Sequence, residues 1–371
     1  PDAANGPEIA FLSAYTIPSD ETEILSFDYN KAGTEKGKFS SSNPVKLTRT
    51  SGKFFNLTVT IRLSSVIIGA TEDDYLLGSI ITMNNAGLII DGPVQIGGSI
   101  ESSSSKTNTI SGSGTVSRYQ TTSSYSDDVG YPMIKVDELS TLTITGTSAD
   151  NNLILDGNCP DDTTSASNQG SSIIYSQGTL TVKHATLKNN YKNYDDGYSY
   201  PSGGAVEIIG ADAVFESCTI SSCGCNKSGL AGGIYAEGDS GTNASVTLKN
   251  TYFYSCSSET GYGDNVYMEG FSVLYLDGTV HQTDNSPLEV YAHKLDQNYT
   301  PVYICSTYHD SASKVRISRP TKPTAYDDII VKLMDSSGTM PANITLYVVE
   351  GSGTEYTMSS TGSYGTEITT P

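Results

Sequence analysis

The chain has no tryptophan, only 8 phenylalanines and 4 histidines, and 21 Lys and Arg against 41 Asp and Glu in 371 residues. Each shortage excludes something. With a formal net charge of −20 and basic residues spread thinly, no patch exists to release counterions from phosphates, so nucleic acid and anionic membranes are repelled. No apolar run reaches the roughly 18 residues that cross a bilayer as a helix, so no membrane span is expected. No leader with a basic start and an apolar run stands at Pro1, so any secretory signal was removed or never preceded this segment. Helical periodicity is missing too: no segment carries apolar residues at i, i+3, i+4 spacing over ten positions.

What is present is repetition. Residues 203–223 read GGAVEIIGADAVFESCTISSC, and after a short loop 232–256 read GGIYAEGDSGTNASVTLKNTYFYSC. The offset that sets Ala213 and Phe215 on Val246 and Leu248 also sets Ile220 on Phe253 and Cys223 on Cys256. A fixed period of this kind marks a stacked, repetitive architecture. A middle strand recurs as Leu142/Ile144, Leu180/Val182, Ala213/Phe215, Val246/Leu248 and Leu274/Leu276. A third recurs as Leu153/Leu155, Ala185/Leu187, Cys218/Ile220 and Thr251/Phe253. A first recurs as Ile134/Val136, Ile173 or Ile174, Val206/Ile208, Ile234/Ala236 and Val266/Met268. All alternate apolar with polar, the pattern of a sheet with one buried face.

Three short strands per repeat with no helical crossover predict an all-β parallel β-helix, each strand pairing with its equivalent one coil on at about 4.8 Å. The usual crossover preference makes it right-handed. Residues 1–75 are expected to cap the N-terminal end, residues 76–283 to form the coils, and residues 284–371 to form irregular coils and a β-structured C-terminal cap. The architecture is that of a pectate-lyase-like solenoid.

The glycine pairs GGAV (Gly203–Val206) and GGIY (Gly232–Tyr235) come with Leu187-Lys188-Asn189-Asn190, Ile220-Ser221-Ser222-Cys223 and Phe253-Tyr254-Ser255-Cys256. Together, over roughly 130–280, these resemble the GGA[ILV] and FxxN repeats of polymorphic outer-membrane-protein-type bacterial surface adhesins. Cys stands twice where that family has Asn. The resemblance implies a β-helical coil and a surface role. No membrane barrel or wall-sorting signal follows, so that family's anchoring does not transfer.

Four groups of residues are candidate sites. Cys223 and Cys256, one coil apart in register, are within reach of a disulfide, with Cys225 a competing partner. Cys218 aligns with inward Ala185 and reads as a buried thiol, and C-x-C alone is a weak metal signal. The pairs Asp127-Asp128, Asp161-Asp162 and Asp195-Asp196 recur at one constant interval. Stacked on one flank they would form an oxygen-rich column suited to calcium, while unstacked they are solvated loops. The loop Asn189–Gly204 gathers Tyr191, Tyr194, Tyr198 and Tyr200 around Asp195 and Asp196, the ring-and-carboxylate mixture that glycan-binding surfaces use; packing of an ordinary loop is the alternative. Sequons at Asn56, Asn226, Asn243, Asn298 and Asn343 are candidate glycosylation acceptors. With the Ser, Thr, Asn and Gly bias, they point to an extracellular or cell-surface protein.

No residue set recruits catalysis. His184, His281, His293 and His309 fall in no motif, and Arg49, Arg62, Arg118, Arg316 and Arg319 lie outside the clearest coils. A glycosidase of this fold needs carboxylates on adjacent outward positions. The two clearest coils instead carry Glu207, Glu216, Thr219, Thr247 and Lys249 there. The expected function is a structural or adhesive surface protein binding a glycan or a neighbouring surface protein. Its ends are expected to stack on further copies, the Ser/Thr/Gly-rich tail adding as a strand. A polysaccharide-binding or polysaccharide-degrading enzyme is the alternative.

Overall fold

A computed structural model describes residues 8–11, 15–16, 26–27, 45–49, 54–68, 79–118, 131–150, 152–159, 171–192, 203–225, 229–239, 241–259, 261–282, 288–293, 302–305, 314–319, 330–334, 345–350, 354–359 and 367–369. Among them every regular element is a β-strand. The chain divides into two compact units, Pro1–Asn190 and Tyr191–Pro371. Each unit is wound as a parallel β-helix.

In the first unit consecutive strands fall in different columns, and each pairs in parallel with the strand three further on. Ile134–Val136 pairs with Ile174–Ser176, Thr141–Gly146 with Thr179–Lys183, and Leu153–Cys159 with Ala185–Lys192. Ile61, Leu88, Ile110, Ile144 and Val182 stand opposite one another down the middle column, and all are buried. Each such side chain stabilises by about 1.5–3 kcal/mol relative to exposure. The alternation dictated by sequence is what fills this column: Thr141–Gly146 buries every second residue.

The coils begin far earlier than the sequence suggests. Within 1–75, Glu8–Phe11 pairs in parallel with Val45–Arg49, Val45–Arg49 with Val66–Ile68, Tyr15–Thr16 with Phe55–Leu57 and Ser26–Phe27 with Ile61–Leu63. These are the same three columns, so the region set aside as a cap winds as coils. The coils over residues 45–118 are also shorter. Val45 pairs with Val66 and Leu88 with Ile110, each using little more than half the chain that separates Ile144 from its partner Val182. A coil that trims its loops keeps its ladder and loses its repeat in sequence.

In the second unit the first column runs Val206, Ile234, Val266, Val290, Ile317 and Val348 in register. The middle column runs Ala213, Val246, Leu274, Val302 and Val331. The third, Thr219–Cys225 against the end of Ala244–Tyr254, continues to residues 280–282. Parallel winding therefore continues past residue 284, where the sequence repeat fades. Two antiparallel strands follow, Thr354–Ser359 on Thr345–Glu350 and Glu367–Thr369 on Ile330–Met334. The tail expected to reach a neighbouring copy pairs within its own chain.

The short motifs acquire a physical meaning at the corners. Asn189, Ser222 and Ser255, the third residues of the FxxN-like segments, have φ of 53°, 51° and 49°. This left-handed conformation suits short polar side chains. It turns the fourth residue, Asn190, Cys223 or Cys256, into the interior, where each is buried. The glycine pairs answer to close approach. A Cβ on Gly204 would lie 2.3 Å from Gly232 O, and one on Gly232 would lie 2.4 Å from Ser257 N. Backbone of the next coil occupies the space a side chain needs.

Candidate functional site

The outward face of the first column in the second unit carries a strip that the inward pattern hides. Tyr235, Tyr267 and Tyr291 stand opposite one another on successive coils, and two residues along stand Glu237, Glu269 and His293, also in register. The strands alternate Ile234/Ala236, Val266/Met268 and Val290/Ala292 inward, which forces the tyrosines and their neighbours outward. The rings stack, with centroids 5.5 Å apart for Tyr235 and Tyr267 and 5.1 Å for Tyr267 and Tyr291, each pair inclined by 20°. They bury one another: with Ala231 they form a cluster against which Ile209 and Leu230 pack. Tyr262 closes the row, its ring tilted on Tyr291 at 4.6 Å and 46% exposed.

The polar edge of the strip is tightly knit. Tyr235 Oη lies 2.5 Å from Glu269 Oε2 and 3.0 Å from Glu237 Oε2. One phenol proton can go to only one of the two carboxylates. On its other side Glu269 Oε1 lies 3.2 Å from His293 Nδ1. Burial, and then the bond to Glu269, hold the Tyr235 phenol far above its ordinary range. Burial likewise raises Tyr267, and raises Tyr291 to about 12. For Glu269 burial acts upward, but His293 and Tyr235 outweigh it and hold the carboxyl below its ordinary value. The strip is therefore an aromatic platform, open at Tyr262, beside two carboxylates and an imidazole.

Three other outward carboxylates each have a lysine: Glu216 with Lys249 at 3.8 Å, Glu207 with Lys192 at 3.2 Å and Asp156 with Lys188 at 3.4 Å. The first unit holds a different polar knot. Arg118, at an inward position opposite Ile96, sends Nη1 to Tyr131 O at 2.6 Å and Nη2 to Ser171 O at 3.0 Å and Asn190 Oδ1 at 3.3 Å. Burial lowers its pKa to about 10, against an upward influence from Cys159. Arg118 thus belongs to the coils, in the strand Thr115–Arg118, and its contacts are those of an internal brace.

The structure separates the residues singled out by sequence. No disulfide joins Cys223 and Cys256. Their registers place them opposite each other, yet Cys223 Sγ donates to Ser221 O at 3.3 Å and Cys256 Sγ to Ile220 O at 3.5 Å. Each thiol is satisfied by backbone, and burial pushes Cys256 up to about 12. Cys225 donates to Ala231 O at 3.3 Å, and burial raises it to about 12 also. Cys218 is the buried thiol its alignment with Ala185 indicates. Tyr191 lies half-buried over Gly224, where a Cβ would meet its ring at 2.5 Å. Tyr194, Asp195, Asp196, Tyr198 and Tyr200 lie outside the described residues, as do Asp127, Asp128, Asp161 and Asp162 and the sequons at Asn226, Asn298 and Asn343. Asn56 is half-buried within the strand Phe55–Leu57, paired on both sides, whereas Asn243 is exposed just before Ala244–Tyr254. Among the described residues no group of three or more His, Cys, Asp or Glu gathers as a metal would require. Among them, too, no helix is long and apolar enough to cross a membrane.

Sequence reasoning missed the strip because it followed the inward residues. The signal was present as Tyr-x-Glu, Tyr-x-Glu and Tyr-x-His at Tyr235, Tyr267 and Tyr291, once the coils are aligned by their inward positions. To the outward positions Glu207, Glu216, Thr219, Thr247 and Lys249 read from the two clearest coils the structure adds Glu237, which stands opposite Glu269 on the adjacent coil. Compared with family models, curated proteins and solved structures, the chain matches none.

Proposed function

We propose that this protein is an adhesive scaffold of the cell surface or extracellular space, its β-helical coils presenting a binding face for a glycan on a host or neighbouring surface. The observation that carries the reading is the strip of Tyr235, Tyr267, Tyr291 and Tyr262 beside Glu237, Glu269 and His293. Three stacked rings make a rigid wall, and Tyr262 offers an open face to the apolar side of a sugar ring. The adjacent carboxylates accept hydroxyl donors. Such a site is ordered before ligand arrives, which lowers the cost of binding.

Glycan-array binding of the purified chain beside a Tyr262→Ala variant tests this. Tyr262 is 46% exposed, so its removal leaves the fold intact while deleting the open ring. The reading expects binding by the wild type and at least a tenfold loss in the variant. Equal binding by both, or none by either, rejects it.

A second reading rests on the pair Glu237 and Glu269, which stand on adjacent coils and touch the same phenol oxygen. Paired carboxylates are what glycoside cleavage uses, one as acid and one as base or nucleophile. Release of reducing ends from the glycans that bind, abolished in Glu269→Gln, would favour an enzyme. Binding without turnover leaves the adhesive reading.

A further inference from the structure

Within each unit the strands described above pair in parallel until the last coil, where the direction switches twice. Thr345–Glu350 pairs in parallel with Lys314–Arg319 on one side. On its other side every one of its residues faces the antiparallel Thr354–Ser359, from Thr345↔Ser359 to Glu350↔Thr354. Ile330–Met334 likewise pairs in parallel with Val302–Cys305 and antiparallel with Glu367–Thr369, through Ile330↔Thr369, Val331↔Ile368 and Lys332↔Glu367. A further coil continuing the winding would stack in parallel on these two strands, and both places are taken.

The covered strands read TLYVVE and IVKLM. They are rich in β-branched and aromatic residues, hold neither glycine nor proline, and carry one charge each. Such edges template pairing with another chain when they are bare. The strands that cover them read TEYTMS and EIT, shorter or more polar, and each brings a glutamate.

We propose that Thr354–Ser359 and Glu367–Thr369 are a displaceable cover over a latent docking edge, and that the occupant of the uncovered edge is a second copy of this chain. The chemistry that fits is strict. The uncovered end offers two strands at the coil's own column spacing, and strands that run parallel at that spacing with like residues stacking on like are the properties of this chain's own coils. The cover thus restrains end-to-end growth, and its release would start it. Trimming the tail near Thr354 is accordingly expected to promote assembly, the reverse of what a tail that bridges copies would give.

The test compares the intact chain with a variant carrying Tyr356→Pro and Thr357→Pro in one covering strand and Glu367→Pro and Ile368→Pro in the other. Neighbouring residues of a strand point their N–H groups to opposite sides, so one of the two prolines in each strand removes a ladder donor whichever way the strand faces. Mass is followed by light scattering across concentration, with circular dichroism alongside. The expected result is a concentration-independent mass for the intact chain and a mass that grows with concentration for the variant. A peptide of residues 352–371, which holds both covering strands, added in excess, should return the variant to the mass of the 39.3 kDa chain. A variant that keeps its β-sheet spectrum and the mass behaviour of the intact chain overturns the proposal. So does growth of the intact chain as steep as that of the variant, or growth that the peptide leaves unchanged. Loss of the β-sheet spectrum also overturns it, since the covering strands would then belong to the folding core and could not act as a cover.

Discussion

Tyr235 stacks on Tyr267 and, through its hydroxyl, meets Glu269, the residue two positions beyond its stacking partner on the same neighbouring coil. One side chain thus holds two coils together by ring contact and by a charge-assisted hydrogen bond, and it keeps Glu237 and Glu269 at a common oxygen.

Replacing Tyr235 by Phe keeps the ring and deletes the donor. Two carboxylates are then left facing each other without a proton between them. The loss in unfolding free energy at pH 7 should be about 1–3 kcal/mol, read from denaturant titrations. The difference from wild type should shrink as pH falls, because the bond from Tyr235 is one of the interactions that hold the Glu269 carboxyl below its ordinary value. A pH-independent loss would mean that the hydroxyl serves packing and not the carboxylate pair.

Glu269 sets an acid limb to stability. Its folded-state pKa lies below its ordinary value, because the bonds from His293 and Tyr235 outweigh burial. Such a group contributes stability that is fully present above the unfolded pKa, about 4.3 for glutamate, and is lost as pH falls through the lower folded value. Melting temperatures from pH 7 to pH 3 should fall less steeply for Glu269→Gln than for wild type. Parallel curves would remove Glu269 from the account.

The glycine pairs separate close approach from mere flexibility. Gly232→Ala would drive a Cβ into the backbone of Ser257, while a Cβ on Gly241 meets only Asp239 Oδ1, at 3.5 Å. Backbone cannot yield as a side-chain end does. Gly232→Ala should cost at least about 2 kcal/mol, a range met only where a substitution breaks the structure locally, and Gly241→Ala should stay within about 0.5 kcal/mol. Equal melting temperatures for the two variants would contradict the coil spacing at Gly232.

The corner thiols offer a chemical reading of the same packing. Cys223 and Cys256 are buried, and burial pushes Cys256 up to about 12, so little thiolate forms at pH 8. Alkylation at these two sites, followed by mass spectrometry, should be at least a hundredfold slower in the native chain than in denaturant. Rapid native alkylation would show the corner to be open.

Much of the fold was legible because it is local. Strand alternation has a period of two, and Leu142, Leu180, Val246 and Leu274 announce their inward faces one strand at a time. The offset from Ala213 to Val246 marked one coil. What faded was anything dependent on loop length. Val66 pairs with Val94 and Val94 with Val116 across unequal stretches of chain, so the early coils share columns without sharing a repeat.

By itself, then, the sequence determined an all-β chain of inward-alternating strands, the coil near residues 203–256, and an acidic surface. Only the tertiary structure decided that coils start before residue 75, that Tyr235, Tyr267 and Tyr291 form one row, that the Cys223 and Cys256 thiols turn to backbone carbonyls, and that the last coil is closed by antiparallel strands. The reason is the same in each case. Alternation is written residue by residue, but register is set by backbone hydrogen bonds between strands separated by loops of any length, and outward residues become neighbours only after that register is chosen.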